Sequence, residues 1–182
     1  MEAKFEAAGD VIVITGGGNG IGRGLAKAAA KAGARVVICD VDRAAMDAAK
    51  AEHSNISAVA LDVSDRAAVF EVFGKIEKEH GKIDGLVCAA AIQPRTAVTD
   101  MPPEEWKRVI GINLDGVVWC YQAAIKGMIA RRRGSIVAFT SGLASQGWPE
   151  ASAYAATKGA LISFVKSAAK EVAMHRVRFN LI

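Results

Sequence analysis

Tyr154 and Lys158 stand four residues apart in Tyr154-Ala155-Ala156-Thr157-Lys158, and Ser141 precedes the tyrosine by thirteen residues. On a helix, a spacing of four puts a phenol and an ammonium on one face. A cation beside a phenol favours the phenolate and makes tyrosine a usable general base. Near the other end of the chain lies a glycine-rich run, Thr15-Gly16-Gly17-Gly18-Asn19-Gly20-Ile21-Gly22. It follows an apolar run and opens a helical stretch, the context a phosphate-binding turn requires. Glycines let the backbone approach a pyrophosphate, and a helix N-terminus offers free N–H groups and a positive dipole end. Together the two patterns point to hydride transfer between a nicotinamide ring and an alcohol or carbonyl carbon.

Two acidic residues extend the cofactor reading. Asp40 closes a β-branched run eighteen residues after Gly22. A carboxylate there accepts both ribose hydroxyls of the adenosine and repels a 2′-phosphate, so NAD is favoured over NADP. Asn19 is neutral and offers no charge to such a phosphate, and Arg43 falls on the next helix. Asp62, before Val63, is read either as an adenine-side contact or as a helix-capping acid.

These residues need a scaffold to bring them together. Apolar β-branched runs at 11–14, 35–39, 56–61, 83–89, 135–140 and 176–182 predict six strands. Helical stretches are predicted at 20–32, 43–53, from Ser64 or Asp65 to about His80, from Pro102 to Arg132 with Asn113 in its middle, and over 151–174. A near-continuous apolar run such as Val11-Ile12-Val13-Ile14 suits a strand buried on both faces. Strand–helix alternation with right-handed crossovers predicts an α/β fold: a doubly wound parallel sheet, Rossmann-like, in the order 3-2-1-4-5-6 with helices on both faces.

Composition narrows the class. The chain has 182 residues, 52% hydrophobic and 23% charged, which suits one globular domain spanning 1–182. The net charge of +4 is spread among 19 acids. The dense basic run Arg131-Arg132-Arg133 is read as a solvated helix end, where cations suit the dipole, and not as a nucleic-acid site. Cys39, Cys88 and Cys120 lie apart in apolar stretches and read as buried thiols without disulfide or metal-ligand spacing. The N-terminal residues lack the apolar core of a signal peptide, and no uncharged segment suits a membrane span, so the expected location is the cytoplasm.

The ordered set Thr15–Gly22, Asp62-Val63, Asn113, Ser141, Tyr154, Lys158 and Val177-Arg178-Phe179-Asn180 resembles the short-chain dehydrogenase/reductase family, in the subgroup with a Thr-Gly-x-x-x-Gly-x-Gly loop and a Tyr-x-x-x-Lys site. The resemblance implies cofactor contacts from Gly16, Gly18, Asn19, Gly20, Ile21, Gly22, Asp40, Asp62, Val63 and Ala90, with Tyr154 and Lys158 at the nicotinamide ribose. It implies Tyr154 as general acid/base and Lys158 as the group that tunes it. Ser141 would orient the substrate oxygen, and Asn113 would kink its helix and hold a relay water. It also implies a secondary alcohol or ketone substrate and a homodimer or homotetramer built on the helices carrying Asn113 and Tyr154. Two departures stand out. Cys88-Ala89-Ala90-Ala91 replaces the family's Asn-Asn-Ala-Gly, which predicts a modest loss of rigidity there. The sequence also stops at Ile182, before the family's substrate lid, last strand and terminal helix, which keeps a weak or inactive NAD-binding relative as the alternative. Gln93, Pro94, Arg95, Leu143, Gln146 and Trp148 are candidate pocket residues, Trp148 as an apolar wall. A dehydratase or epimerase would need a further acid or base, for which Glu150 is on the right loop.

Overall fold

The computed structural model describes residues 6–182; the reading of the extreme N-terminus lies outside them. Six parallel strands form one sheet in the order β3-β2-β1-β4-β5-β6, as the strand–helix alternation predicts. The strands are β1 (Val11–Thr15), β2 (Arg35–Asp40), β3 (Ile56–Ala60), β4 (Gly85–Cys88), β5 (Gly134–Ala138) and β6 (Val177–Leu181). Register aligns their ends: Thr15 is level with Cys39 on one side and with Cys88 on the other. Cys88 in turn is level with Ala138. The residues that follow these positions, Gly16, Asp40, Ala89 and the approach to Ser141, therefore leave the sheet at one edge.

Helices cover both faces. On one side pack α1 (Gly20–Lys31) and α2 (Arg43–Lys50), whose Ala26, Ala30, Met46 and Ala49 meet Ile14, Val36 and Ile38. Alanines on that face let α1 lie close to the strands. On the other side lie α3 (Arg66–His80), α5 (Gly116–Arg131) and α7 (Ser152–Val172). Phe73, Met128 and Leu161 from these helices bury Val13, Leu86 and Ile136 of the sheet. Tyr121, Phe164 and Phe179 pin α5, α7 and β6 together, the Tyr121 and Phe179 rings stacking at 5.1 Å. All three cysteines are buried. No helix among the described residues is long and apolar enough to cross a membrane.

Three local expectations are corrected and one open alternative is decided. The helix predicted from Pro102 to Arg132 is broken into α4 (Pro103–Ile110), a π-helical turn (Gly111–Asp115) and α5. Such a turn interrupts the i→i−4 ladder without ending the helix, so apolar periodicity runs on through it. The segment between Ser141 and Tyr154 contains a short helix, α6 (Leu143–Gln146). Of the two caps expected for α3, Asp65 serves, accepting the Ala68 N–H at 3.0 Å. Finally, the arginines at the end of α5 are not merely solvated. Arg131 pairs with Glu77 and donates to the Ile83 carbonyl, Arg132 donates to the Met174 carbonyl, and Arg133 pairs with Asp10.

Candidate active site and cofactor cleft

A cleft of about 480 Å³ opens where β1, β2, β3 and β4 end. This is the position at which open α/β sheets bind ligands. Its floor is the glycine turn. Gly16 has φ +66°, and a Cβ there would sit 2.6 Å from the Ala90 N, so the turn passes against the end of β4 only because the side chain is absent. A Cβ on Gly22 would overlap the Gly16 carbonyl oxygen. Asn19 stands at the N-cap of α1 but makes no side-chain cap bond, and no acid occupies the first turn. The N–H groups of Gly20, Ile21 and Gly22, which line the cleft, thus keep their capacity for an anion.

Asp40 is held in place by backbone. Its Oδ1 accepts the Val41 and Asp42 N–H groups, and its Oδ2 accepts the Gly18 N–H at 2.9 Å. Gly18 therefore stands behind the carboxylate and does not line the cleft itself, unlike Gly16, Asn19, Gly20, Ile21 and Gly22. Asp62, Val63 and Ala90 do line it. Asp62 shares the two roles expected of it unequally: it faces the cleft, and its Oδ1 accepts from the Ser64 N–H and Oγ while leaving the cap to Asp65. Two large apolar side chains at the rim, Ile21 and Val41, are 66% and 67% exposed. A glycine floor, an uncapped helix end, a fixed carboxylate and exposed apolar rims fit a dinucleotide well.

Ser141, Tyr154 and Lys158 lie one strand further along, outside that cleft. Lys158 is almost fully buried, at 4% exposure, and donates from Nζ to the Phe139 carbonyl at 2.8 Å. Its Nζ is 5.5 Å from the centre of the Tyr154 ring. Burial lowers the Lys158 pKa below the usual lysine value of 10.5. Among the described residues the Tyr154 hydroxyl has no hydrogen-bond partner, and Ser141 Oγ accepts the Leu143 N–H at 3.2 Å.

Asn113, fully buried in the π turn, grips Ile92 from both sides. Its Oδ1 accepts the Ile92 N–H and its Nδ2 donates to the Ile92 carbonyl, each at 2.8 Å. The remaining Nδ2 proton points to Thr157 Oγ1 at 3.5 Å, and Thr157 Oγ1 donates to the Tyr154 carbonyl. Asn113 thus ties the segment after β4 to the helix bearing Tyr154 and Lys158. Little of its amide is left for a water. Thr157, Ile92 and Phe139 are supporting residues that sequence reasoning missed. The position of Thr157 on the face between Tyr154 and Lys158 was visible, but its partner 44 residues away was not. Trp148 is 60% exposed. Glu150 is exposed in a left-handed conformation, φ 63°, its carbonyl accepting the Thr96 N–H.

Residues 10–182 match the family model described as short chain dehydrogenase. The chain belongs to the short-chain dehydrogenase family. It is 38% identical over 176 residues to 2-dehydro-3-deoxy-L-rhamnonate dehydrogenase (NAD(+)) of Sphingomonas sp. (strain SKA58), covering 96% of this chain and 71% of that protein. A metagenomic short-chain oxidoreductase solved in complex with NADP superposes with a TM-score of 0.92 at 31% identity, covering 96% of this chain and 81% of that one. The 3-ketoacyl-(acyl-carrier-protein) reductase from Brucella melitensis, complexed with NADH, superposes with a TM-score of 0.91 at 33% identity, covering 96% and 74%. This short-chain dehydrogenase is accordingly a nicotinamide-dependent oxidoreductase.

Proposed function

We propose that this short-chain dehydrogenase interconverts a secondary alcohol and a ketone with NAD as its preferred cofactor, using Asn113, Ser141, Tyr154 and Lys158. The observation that carries this reading is the buried Lys158 ammonium, 5.5 Å from the ring of a Tyr154 whose hydroxyl is uncommitted. When bound, the nicotinamide ring supplies the hydride chemistry. Tyr154 takes the proton from the substrate hydroxyl in oxidation and returns it in reduction. Lys158 stabilises the phenolate through its charge. Ser141 holds the substrate oxygen toward Tyr154. Asn113 positions the segment through Ile92, and a relay water, in this reading, would be held by the backbone of the π turn and not by the amide.

The cofactor is held by the free N–H groups at the start of α1, with Gly18 fixing Asp40 so that the carboxylate meets the adenosine ribose. That carboxylate disfavours a 2′-phosphate. The solved relatives include an NADP complex and an NADH complex, so the preference rests on Asp40. Residues 1–182 are proposed to work as one domain on a small-molecule substrate in the cytoplasm. The helices carrying Asn113 and Tyr154 would pair in a homodimer or homotetramer.

The test is NADH formation followed by its absorbance, with a panel of secondary alcohols and hydroxy acids, in this protein and its Tyr154→Phe variant. Turnover should fall by about 10² to 10⁴ in the variant while NADH affinity changes little. NADH binding without turnover in the unaltered protein would move the reading to a nucleotide-binding relative. Tighter binding of NADPH than NADH would overturn the NAD preference.

A further inference from the structure

Three charged side chains line the cofactor cleft: Asp40, Asp62 and Arg108. Two are engaged within the protein, Asp40 by three backbone N–H groups and Asp62 by Ser64. Arg108, exposed on α4, forms no ion pair among the described residues. This is so although Glu104 and Glu105 precede it by one helical turn, the spacing at which such pairs form. Glu105 turns elsewhere, its Oε2 accepting from Thr96 Oγ1 at 3.0 Å.

An exposed arginine is ordinarily solvated. Arg108 differs in its place. It belongs to the α4 wall of a cleft whose other charged side chains are both carboxylates. A dinucleotide brings a doubly charged pyrophosphate into that field. The N–H groups of α1 receive it from one wall, but they carry only partial charge. A guanidinium matches phosphate oxygens bidentately and loses little in hydration when it does so.

We propose that Arg108 is a cofactor-binding residue, its guanidinium pairing with the phosphate oxygens of the dinucleotide from the α4 side of the cleft. This rests on reading the cleft as the dinucleotide site. Arg108 holds the anion in place and neutralises it; it takes no part in proton transfer.

The experiment compares the unaltered protein with Arg108→Gln and Arg108→Lys, measuring dissociation constants for NADH, ADP-ribose and adenosine by fluorescence or calorimetry at low and high salt. NADH and ADP-ribose should bind about tenfold more weakly to R108Q at low salt, with part of the loss restored in R108K. Adenosine, which has no phosphate, should bind all three proteins alike. The gap should narrow at high salt, where an exposed charge pair is screened. Unchanged NADH affinity in R108Q would overturn the proposal, as would an equal loss for adenosine, which would place the guanidinium on the base. Failure of the unaltered protein to bind NADH would instead sink the cleft assignment itself, and the Arg108 proposal with it.

Discussion

Lys158 is a residue whose placement works against the fold. Its ammonium is nearly inaccessible, and it keeps one strong partner, the Phe139 carbonyl. Desolvation lowers its pKa below 10.5, so between the folded value and 10.5 the unfolded chain binds more protons than the folded one. Stability from this group therefore rises with pH through that window, and the penalty is fully present below it. Lys158→Met removes the charge at similar length. At neutral pH the variant should melt about 2–4 °C higher than the unaltered protein, even though turnover collapses. The difference should shrink as pH climbs toward 10.5, which calorimetry across a pH series would read. A variant that melts lower at neutral pH would mean that the Phe139 bond outweighs desolvation.

At the scale of elements, the π turn decides what Asn113 can do. Strands and the flanking helices were legible because each rests on local signals: β-branched runs, alanine faces, Asp65 as a cap, and Gly81 at φ 77° ending α3; the strand order followed from their alternation and the handedness of the crossovers. The glycine turn and Asp40 were legible for the same reason, being set by neighbours in sequence. The π turn was not, since Gly111–Asp115 keeps the apolar rhythm of a continuous helix. Nor was the grip of Asn113 on Ile92, which spans 21 residues and depends on how two elements dock. The resemblance gave Asn113 a kinked helix and a relay water; the structure shows its amide taken up by Ile92. Because that amide satisfies both polar groups of Ile92, Asn113→Ala strips a donor and an acceptor at once. Loss of about 2–3 kcal/mol in urea unfolding is expected, together with weaker NADH binding, because Ala90 and Ile92 line the cleft. Unchanged unfolding would show that water replaces the amide without penalty.

Across the whole molecule the two edges of the sheet have different duties. The C-terminal ends of the strands carry the cleft, the tyrosine and the lysine. The opposite edge is stapled by charge. Asp84, just before β4, accepts the Val11 N–H at the start of β1 at 3.0 Å, and pairs with Lys82 at 2.8 Å. Arg133, just before β5, approaches it at 4.0 Å while bonding Asp10. Burial alone would raise the Asp84 carboxyl; the bonds from Lys82 and Val11, with the charges of Lys82 and Arg133, outweigh burial and hold it below 3.8. A carboxylate depressed in the folded state stabilises above its unfolded pKa and loses that contribution as pH falls through the folded value. Asp84→Asn should therefore cost about 2 kcal/mol at pH 7. The gap to the unaltered protein should close as pH drops below about 4. Dissociation constants for NADH should not move, because nothing in this cluster reaches the cleft. Urea unfolding at neutral and acid pH, beside NADH titration at neutral pH, separates the two duties. A variant that kept its stability but lost the cofactor would mean that the edges are coupled through β1 and β4.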